Sequence, residues 1–340
     1  MDNIKNGFAE PLTVFGIAAV VLIVGIWVYS IQRHGKIGIK RTDPIQNASS
    51  YATGSSVPQP GNTTTKPSDP VQNVLPSANS SDQLFHEGFE NGALSPGWTS
   101  LALHGAKRIE DSDSIQIVTD PVRKGTHALK VTVRDGDWVY FGDRLNDKER
   151  AELIRQNSCR QGTCTFGNEG REGTELWYAW SILIPEDYQY DRVGHDWQIM
   201  GQWHDQPEPG ESPSGYSPPI SVHYRSTGGQ SSFVFTYGLR QTGGPITEVE
   251  APIKRGKWIN LMFHIGFSQG KDGFLEVWKD GVPVKTDQGI ARITGPNMFN
   301  AEPNYLRIGL YRGVGQKQTN TLYYDEIKIA TTREALLSEW

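Results

Sequence analysis

The stretch KWINLMFHIGFSQGKDGFLEVWKDG, Lys257 to Gly281, decides the fold. In KWINLMFHIGF and in FLEVW the apolar residues recur at a period near two, as in a strand with one face buried. Lys-Asp-Gly occurs at Lys271 to Gly273 and again at Lys279 to Gly281. Asp-Gly readily supplies the positive φ of a tight turn, so the repeat brackets one short strand and predicts an antiparallel meander. The same pattern runs outward through HALKVTV (His127 to Val133), TELWYAWSILI (Thr174 to Ile184), SFVFTYGL (Ser232 to Leu239), YLRIGLY (Tyr305 to Tyr311) and LYYDEIKI (Leu322 to Ile329). Helix is expected only in short pieces, around Asp147 to Ile154 and in the tail from Thr332. Many short strands without a solenoid or propeller period predict an all-β, concanavalin-like jelly roll, a two-sheet sandwich with a concave groove.

The chain has 340 residues, 36% apolar and 21% charged, enough for a large core and too apolar for a wholly disordered protein. A net charge of -5 gives no global basic field, so nucleic acid is not an expected partner. No charge occurs between Glu10 and Arg33. Val14 to Tyr29 is apolar enough to cross a bilayer, and residues 1–41 read as a membrane anchor (helix about 12–31) with its flanks. A cleaved signal peptide is the alternative, although the apolar run is long for one and no small-x-small site follows. Residues 42–83 are rich in Ser, Asn, Thr, Pro and Gly and read as a disordered linker, leaving 84–340 as the folded domain.

Three segments carry chemistry-bearing side chains. In Glu149 to Leu153, alternation puts Arg150 and Glu152 on one strand face, where a carboxylate holds a planar guanidinium in place. In Trp197 to Asp205, alternation groups Gln198, Met200, Gln202 and His204, with Trp203 as an aromatic neighbour for a sugar. In Tyr305 to Arg312, Leu306, Ile308 and Leu310 form a core face, while Tyr305, Arg307, Gly309 and Tyr311 form the other. There Gly309 leaves room for a bound chain. Each has a structural alternative: a surface ion pair, a satisfied histidine, a solvated sheet face.

These segments resemble the signature strands of jelly-roll polysaccharide lyases. Arg150-Ala151-Glu152-Leu153, Gln202-Trp203-His204 and Tyr305-Leu306-Arg307-Ile308-Gly309-Leu310-Tyr311 follow the order of the alginate lyase motifs. The context in WYAWSILIPEDY, QIMGQWHD and FLEVWKDG is similar to the heparin lyase I and glucuronan lyase group, from Leu84 to Ala330. Trp203 and Arg307 depart from the alginate pattern, so alginate itself is not implied. The resemblance implies β-elimination on a 4-linked uronate. The substrate carboxylate must be neutralised, the C5 proton removed and the leaving O4 protonated. Arg150 and Gln202 match carboxylate-binding positions, His204 the neutraliser or base, and Tyr311 the acid. As a base, Tyr311 would need a cation such as Arg307 or Arg312 beside it.

His223 and Arg225 share a strand face and are expected to line the same groove with positive charge, and Tyr237 and Arg240 are weaker groove candidates. His264 is expected in the core. Similar domains bind a structural calcium between the first and last strands, which implies Glu90 and Asp325, with an ion pair or cap as the alternative. No cofactor is required for the chemistry. The rivals are a non-catalytic carbohydrate-binding module, which does not need Gln202, His204 and Tyr311 together, and a glycoside hydrolase, whose Glu-x-Asp-x-x-Glu spacing does not occur here. The expected partners are an acidic polysaccharide and, through the anchor, a membrane, with a monomeric catalytic domain. Basic residues Arg33, Lys36, Lys40 and Arg41 after the apolar run argue for a cytoplasmic domain. Polysaccharide chemistry and the pair Cys159 and Cys164, expected to form a disulfide closing the loop NSCRQGTC, argue for the outside, and the domain is expected outside the cytoplasm, periplasmic or extracellular.

Overall fold

The computed structural model describes residues 81–105, 112–141, 144–160, 162–190, 197–210, 217–240 and 246–337, the side chains of 140–147 excepted. The expected membrane helix and nearly all of the linker lie outside the described residues. No helix among the described residues is long and apolar enough to cross a membrane.

In chain order the strands are β1 (Gln83–Glu87), β2 (Ser100–Ala102), β3 (Ile115–Val118), β4 (Ala128–Val133), β5 (Trp138–Phe141), β6 (Arg144–Arg155) and β7 (Cys159–Arg160). There follow β8 (Thr163–Cys164), β9 (Glu175–Leu183), β10 (Gln198–His204), β11 (Ile220–Thr227), β12 (Gln230–Tyr237) and β13 (Thr247–Ile253). The last are β14 (Trp258–Gly266), β15 (Phe274–Lys279), β16 (Val282–Pro283), β17 (Arg292–Thr294), β18 (Tyr305–Arg312) and β19 (Asn320–Ala330), then helix α1 (Arg333–Leu337). One sheet has the order β16-β15-β14-β9-β19-β4-β3, with β1 on β19 and β17 on β15. The other has the order β13-β12-β11-β10-β18-β6-β2, with β5 on β6. The two sheets form an antiparallel sandwich.

Alternation builds the core between them. Tyr178, Trp180, Ile182, Leu261, Phe263 and Ile265 from the first sheet meet Trp203, Tyr224, Phe233, Phe235, Ile308 and Leu310 from the second. Trp180 stacks on Phe263 at 4.5 Å, and Trp203 sets its ring edge against Tyr178 at 5.1 Å. Each fully buried Leu, Ile or Phe contributes about 1.5–3 kcal/mol. Their partners across the sheets are remote in sequence, so the strands hold only together.

Several expectations change. Asp280 and Gly281 both take positive φ, 51° and 79°, and join β15 to β16 in the expected turn. The first Lys-Asp-Gly does not turn this way. A Cβ on Gly273 would lie 2.5 Å from the Gly295 carbonyl oxygen, so glycine there serves close approach. Asp147 to Ile154 is strand and not helix, because Ala151 and Leu153 enter the core while the charged residues between them find partners elsewhere in the fold. The tail does form helix α1, with the Ala335 amide 3.4 Å from the Thr332 hydroxyl. β1 opens at Gln83, the last residue assigned to the linker. His264 is buried, but on the outer face of the first sheet, stacked 3.9 Å from Trp177 between Glu175 and Glu276. Cys159 and Cys164 oppose each other across β7 and β8 and are bonded.

Candidate active site

The site lies on the outer face of the second sheet, where β6, β18, β10 and β11 run side by side. Antiparallel register aligns their side chains in rows across the strands. Arg150, Tyr311, Ile199 and His223 form one row, and Arg307, Gln202 and Ser221 the next. Glu152 stands opposite Gly309, so no side chain on β18 separates it from Gln202 on β10. Its two oxygens gather three donors. Gln202 Nε2 donates to Oε1 at 2.5 Å, and Arg150 and Arg307 lie 3.3 Å and 3.7 Å from Oε2. The side chains of Arg150 and Glu152 are only 3% and 2% exposed, and Gln202 is fully buried, so these three form a floor.

Above the floor stand His204, Arg307 and Tyr311. The Arg150 guanidinium lies 3.6 Å over the Tyr311 ring, and Trp197 packs its edge against that ring at 4.6 Å. Tyr311 is therefore held between a cation and an indole. Arg307 also donates to the Tyr305 hydroxyl. Its pKa is raised: burial opposes the charge, but Tyr305 and Glu152 outweigh that. The His204 side chain is 17% exposed, with Nδ1 2.9 Å from the Asp205 carbonyl and 3.1 Å from its carboxylate. Both partners accept, so Nδ1 carries the hydrogen and Nε2 of the neutral ring is the basic nitrogen. Such a set can neutralise an anion and move protons at two positions, one at His204 and one at Tyr311.

Three predicted site residues do not reach this face. A bulge in β10 between Ile199 and Gly201 resets the alternation, so Gln198 and Met200 do not share a face with Gln202 and His204. Gln198 is buried and bonded to the Tyr188 hydroxyl at 2.6 Å and to Gln316. Trp203 packs in the intersheet core, 5.7 Å from Trp180. Arg312 is fully buried with Glu149 at 2.7 Å, so the cations near Tyr311 are Arg150, over its ring, and Arg307. Gly309 serves its neighbour strand and not a bound chain, since a Cβ there would lie 2.1 Å from the Ala151 carbonyl oxygen.

His223 and Arg225 do share the outer face. The first supplies no charge near neutrality, because burial pushes its pKa down to about 4 against the opposing pull of Glu248. Arg225 is engaged by Glu248 at 3.1 Å and Glu250 at 3.6 Å. Tyr305 is buried beside Ile154, Val139 and Ala102 at the edge of the site. Tyr237 belongs to the core, donating to the Gly295 carbonyl. A shallow depression lined by Gly229 to Ser231 and Pro252 to Arg255 brings none of the site groups together.

Glu90 accepts from the amide and hydroxyl of Thr126 and the amide of His127, and Asp325 from the amides of Arg123, Lys124 and Glu326. All four carboxylate oxygens meet N–H or O–H donors. This arrangement fits a clamp on segment 123–127 and does not fit a cation between the strands. Among the described residues no three His, Cys, Asp or Glu side chains gather as metal ligands. Sequence reasoning assigned no role to Asp205 and Trp197. The adjacency of His204 and Asp205 was a legible signal for the first, whereas nothing local marks Trp197.

A two-sheet antiparallel sandwich with arginine, glutamine, histidine and tyrosine on one sheet face has the architecture of the jelly-roll lyases. The polysaccharide lyase family profile matches residues 89–328, and the chain belongs to that family. It is an enzyme whose substrate is a polysaccharide. An endo-β-1,4-glucuronan lyase from the fungus Trichoderma reesei shares its fold, with 20% identity over 74% of this chain and 96% of that one and a TM-score of 0.52. A glycoside hydrolase family 131 catalytic domain from Coprinopsis cinerea is 14% identical, covering 74% and 95% of the two chains, with a TM-score of 0.48. An alginate lyase from Pseudomonas aeruginosa is 16% identical over 69% and 97%, at 0.44. The comparison with curated proteins gives no match.

Proposed function

We propose that this lyase cleaves a 4-linked uronate polysaccharide by β-elimination, leaving an unsaturated uronate at the new non-reducing end. The observation that carries the reading is the convergence of Arg150, Arg307 and Gln202 on one carboxylate, directly beside Tyr311. Abstraction of the C5 proton places charge on the substrate carboxyl group, and donors fixed in advance stabilise it best. Arg307 and His204, whose side chains are 10% and 17% exposed, meet that group before the floor does. Arg150 and Gln202 hold the floor through Glu152.

In this reading Tyr311 protonates the leaving O4. In glucuronate the C5 hydrogen and O4 lie on the same side, so Tyr311 also removes the proton. In iduronate or guluronate they lie on opposite sides, and His204 Nε2 is the base. The glucuronan lyase activity of the fungal relative supports trying glucuronan first. Ultraviolet absorbance of the unsaturated product, followed over glucuronan, alginate and glycosaminoglycans, tests the proposal. Sugar released with no absorbance change would assign a hydrolase instead.

The apolar segment Val14 to Tyr29 supports a membrane anchor, and the bonded Cys159 and Cys164 support a domain outside the cytoplasm. Protease digestion of intact cells tests this topology: protection of the domain would reverse it.

A further inference from the structure

Along β10 and β18 the site groups follow one another in a fixed order. His204 lies opposite Tyr305, Gln202 opposite Arg307 and Ile199 opposite Tyr311. Past the pair Gln198 and Arg312, the Trp197 carbonyl accepts from the Gly313 amide at 3.3 Å, so Trp197 stands one position beyond the paired strands. From one end to the other the face presents His204, then Arg307 with Gln202, then Tyr311, then Trp197.

The Trp197 indole is only partly buried, unlike Trp180 and Trp203 in the core. It meets the Tyr311 ring at 72°, so the two rings do not stack. Its neighbour on the β18 side is Gly313, which brings no side chain over it. On the β11 side Arg225 follows Tyr224, the partner of Gln198, and its guanidinium is drawn toward β13 by Glu248 and Glu250. A partly exposed indole thus borders Tyr311 on the side away from Arg307 and His204.

We infer that Trp197 binds the sugar on the far side of the scissile O4, stacking its indole on a pyranose face lined with C–H groups. This rests on the uronan lyase reading above. The reacting uronate sets its carboxylate by Arg307 and His204 and its O4 within a hydrogen bond of the Tyr311 hydroxyl. The sugar that leaves through O4 then continues past Tyr311, away from the carboxylate, and comes to the indole. A flat C–H face needs equatorial ring substituents, as in β-1,4-glucuronate, whereas the axial hydroxyls of mannuronate and guluronate interrupt it. Trp197 therefore favours a glucuronate-configured sugar on the leaving side. Apolar contact of this size reads as about a tenfold change in KM.

The test uses Trp197→Ala and Trp197→Phe, with initial rates on poly-β-1,4-glucuronate, affinity electrophoresis in gels containing that polymer or alginate, and melting temperature in parallel. Trp197→Ala should raise KM about tenfold and weaken retention by the glucuronate gel, with the pH profile of kcat unmoved. Trp197→Phe, which keeps a ring, should recover most of both. In the gels the parent should be held more strongly by glucuronate than by alginate, and Trp197→Ala should narrow that difference. Unchanged KM and retention in Trp197→Ala, with kcat lowered or its pH profile moved, would mean that Trp197 acts only by packing on Tyr311, and overturns the inference. A phenylalanine variant no better than the alanine one overturns stacking, and an unchanged gel difference overturns the preference for an equatorial face. Absence of product from every uronan overturns the lyase reading alone, since the gels read the platform without turnover.

Discussion

Replacing Tyr311 by phenylalanine removes one oxygen and leaves the ring in place. The contacts that hold the ring, Arg150 at 3.6 Å and Trp197 at 4.6 Å, are made by its face and edge and not by the hydroxyl. Stability should therefore change little, and the cation–π contact, worth about 0.5–1 kcal/mol or more, persists. In the proposed reading Tyr311 supplies the proton at O4. General acid-base groups contribute roughly 100- to 10,000-fold. At 1.36 kcal/mol per decade that is about 2.7–5.5 kcal/mol of transition-state stabilisation. The assay is initial rate by ultraviolet absorbance on the uronan that the parent enzyme cleaves best, with melting temperature measured in parallel. The expected result is kcat lower by two to four decades, with KM and melting temperature near those of the parent. A kcat within threefold of the parent, in a folded variant, would refute the role assigned to Tyr311.

Glu152→Ala leaves Arg150 and Arg307 buried without their shared carboxylate. A cost of about 3–5 kcal/mol follows, read as a lower midpoint in denaturant melts, whereas Glu152→Gln should cost less. Asp205→Asn removes the carboxylate beside His204 Nδ1 and should lower kcat and move the acidic limb of its pH profile on an opposite-face substrate, where His204 is the base; an unmoved profile would reduce Asp205 to a structural residue. His223 has an unfolded pKa near 6.5 and a folded one of about 4, so the unfolded chain takes up a proton first as pH falls. Its contribution to stability is complete above pH 6.5 and declines toward pH 4, by about 2–3 kcal/mol. His223→Gln should flatten that part of the wild-type stability profile, measured by denaturant melts at each pH. Because donors fill the oxygens of Glu90 and Asp325, a chelator should leave the melting temperature unchanged, and a large drop would restore calcium there.

The strands were legible wherever one face is apolar and the other polar, as in Tyr305 to Arg312, because burial imposes the period locally. β6 was read in two ways, as a strand face carrying Arg150 and Glu152 and as a short helix over Asp147 to Ile154, since Lys148, Glu149, Arg150 and Glu152 resemble an exposed helix until their partners are known. Those partners lie on other strands: Arg312 for Glu149, Gln202 and Arg307 for Glu152. The site residues Gln202, His204 and Tyr311 could be placed on faces by counting. Gln198 could not, because the bulge at Ile199 to Gly201 changes the count and has no sequence marker besides a glycine.

That bulge is secured from the other side of the sandwich. The hydroxyl of Tyr324, on β19, sits between the carbonyls of Met200 and Gly309, sharing its one proton where β10 and β18 fall out of register. A residue of the sheet that never meets substrate thus sets the phase of the two strands that carry His204, Gln202 and Tyr311. Inheritance of the activity should therefore constrain Tyr324 as tightly as any group in the site. In directed evolution, a single deletion near Met200 should act as a frame error in space, exchanging the working face of β10 with its packed one while every downstream codon stays intact.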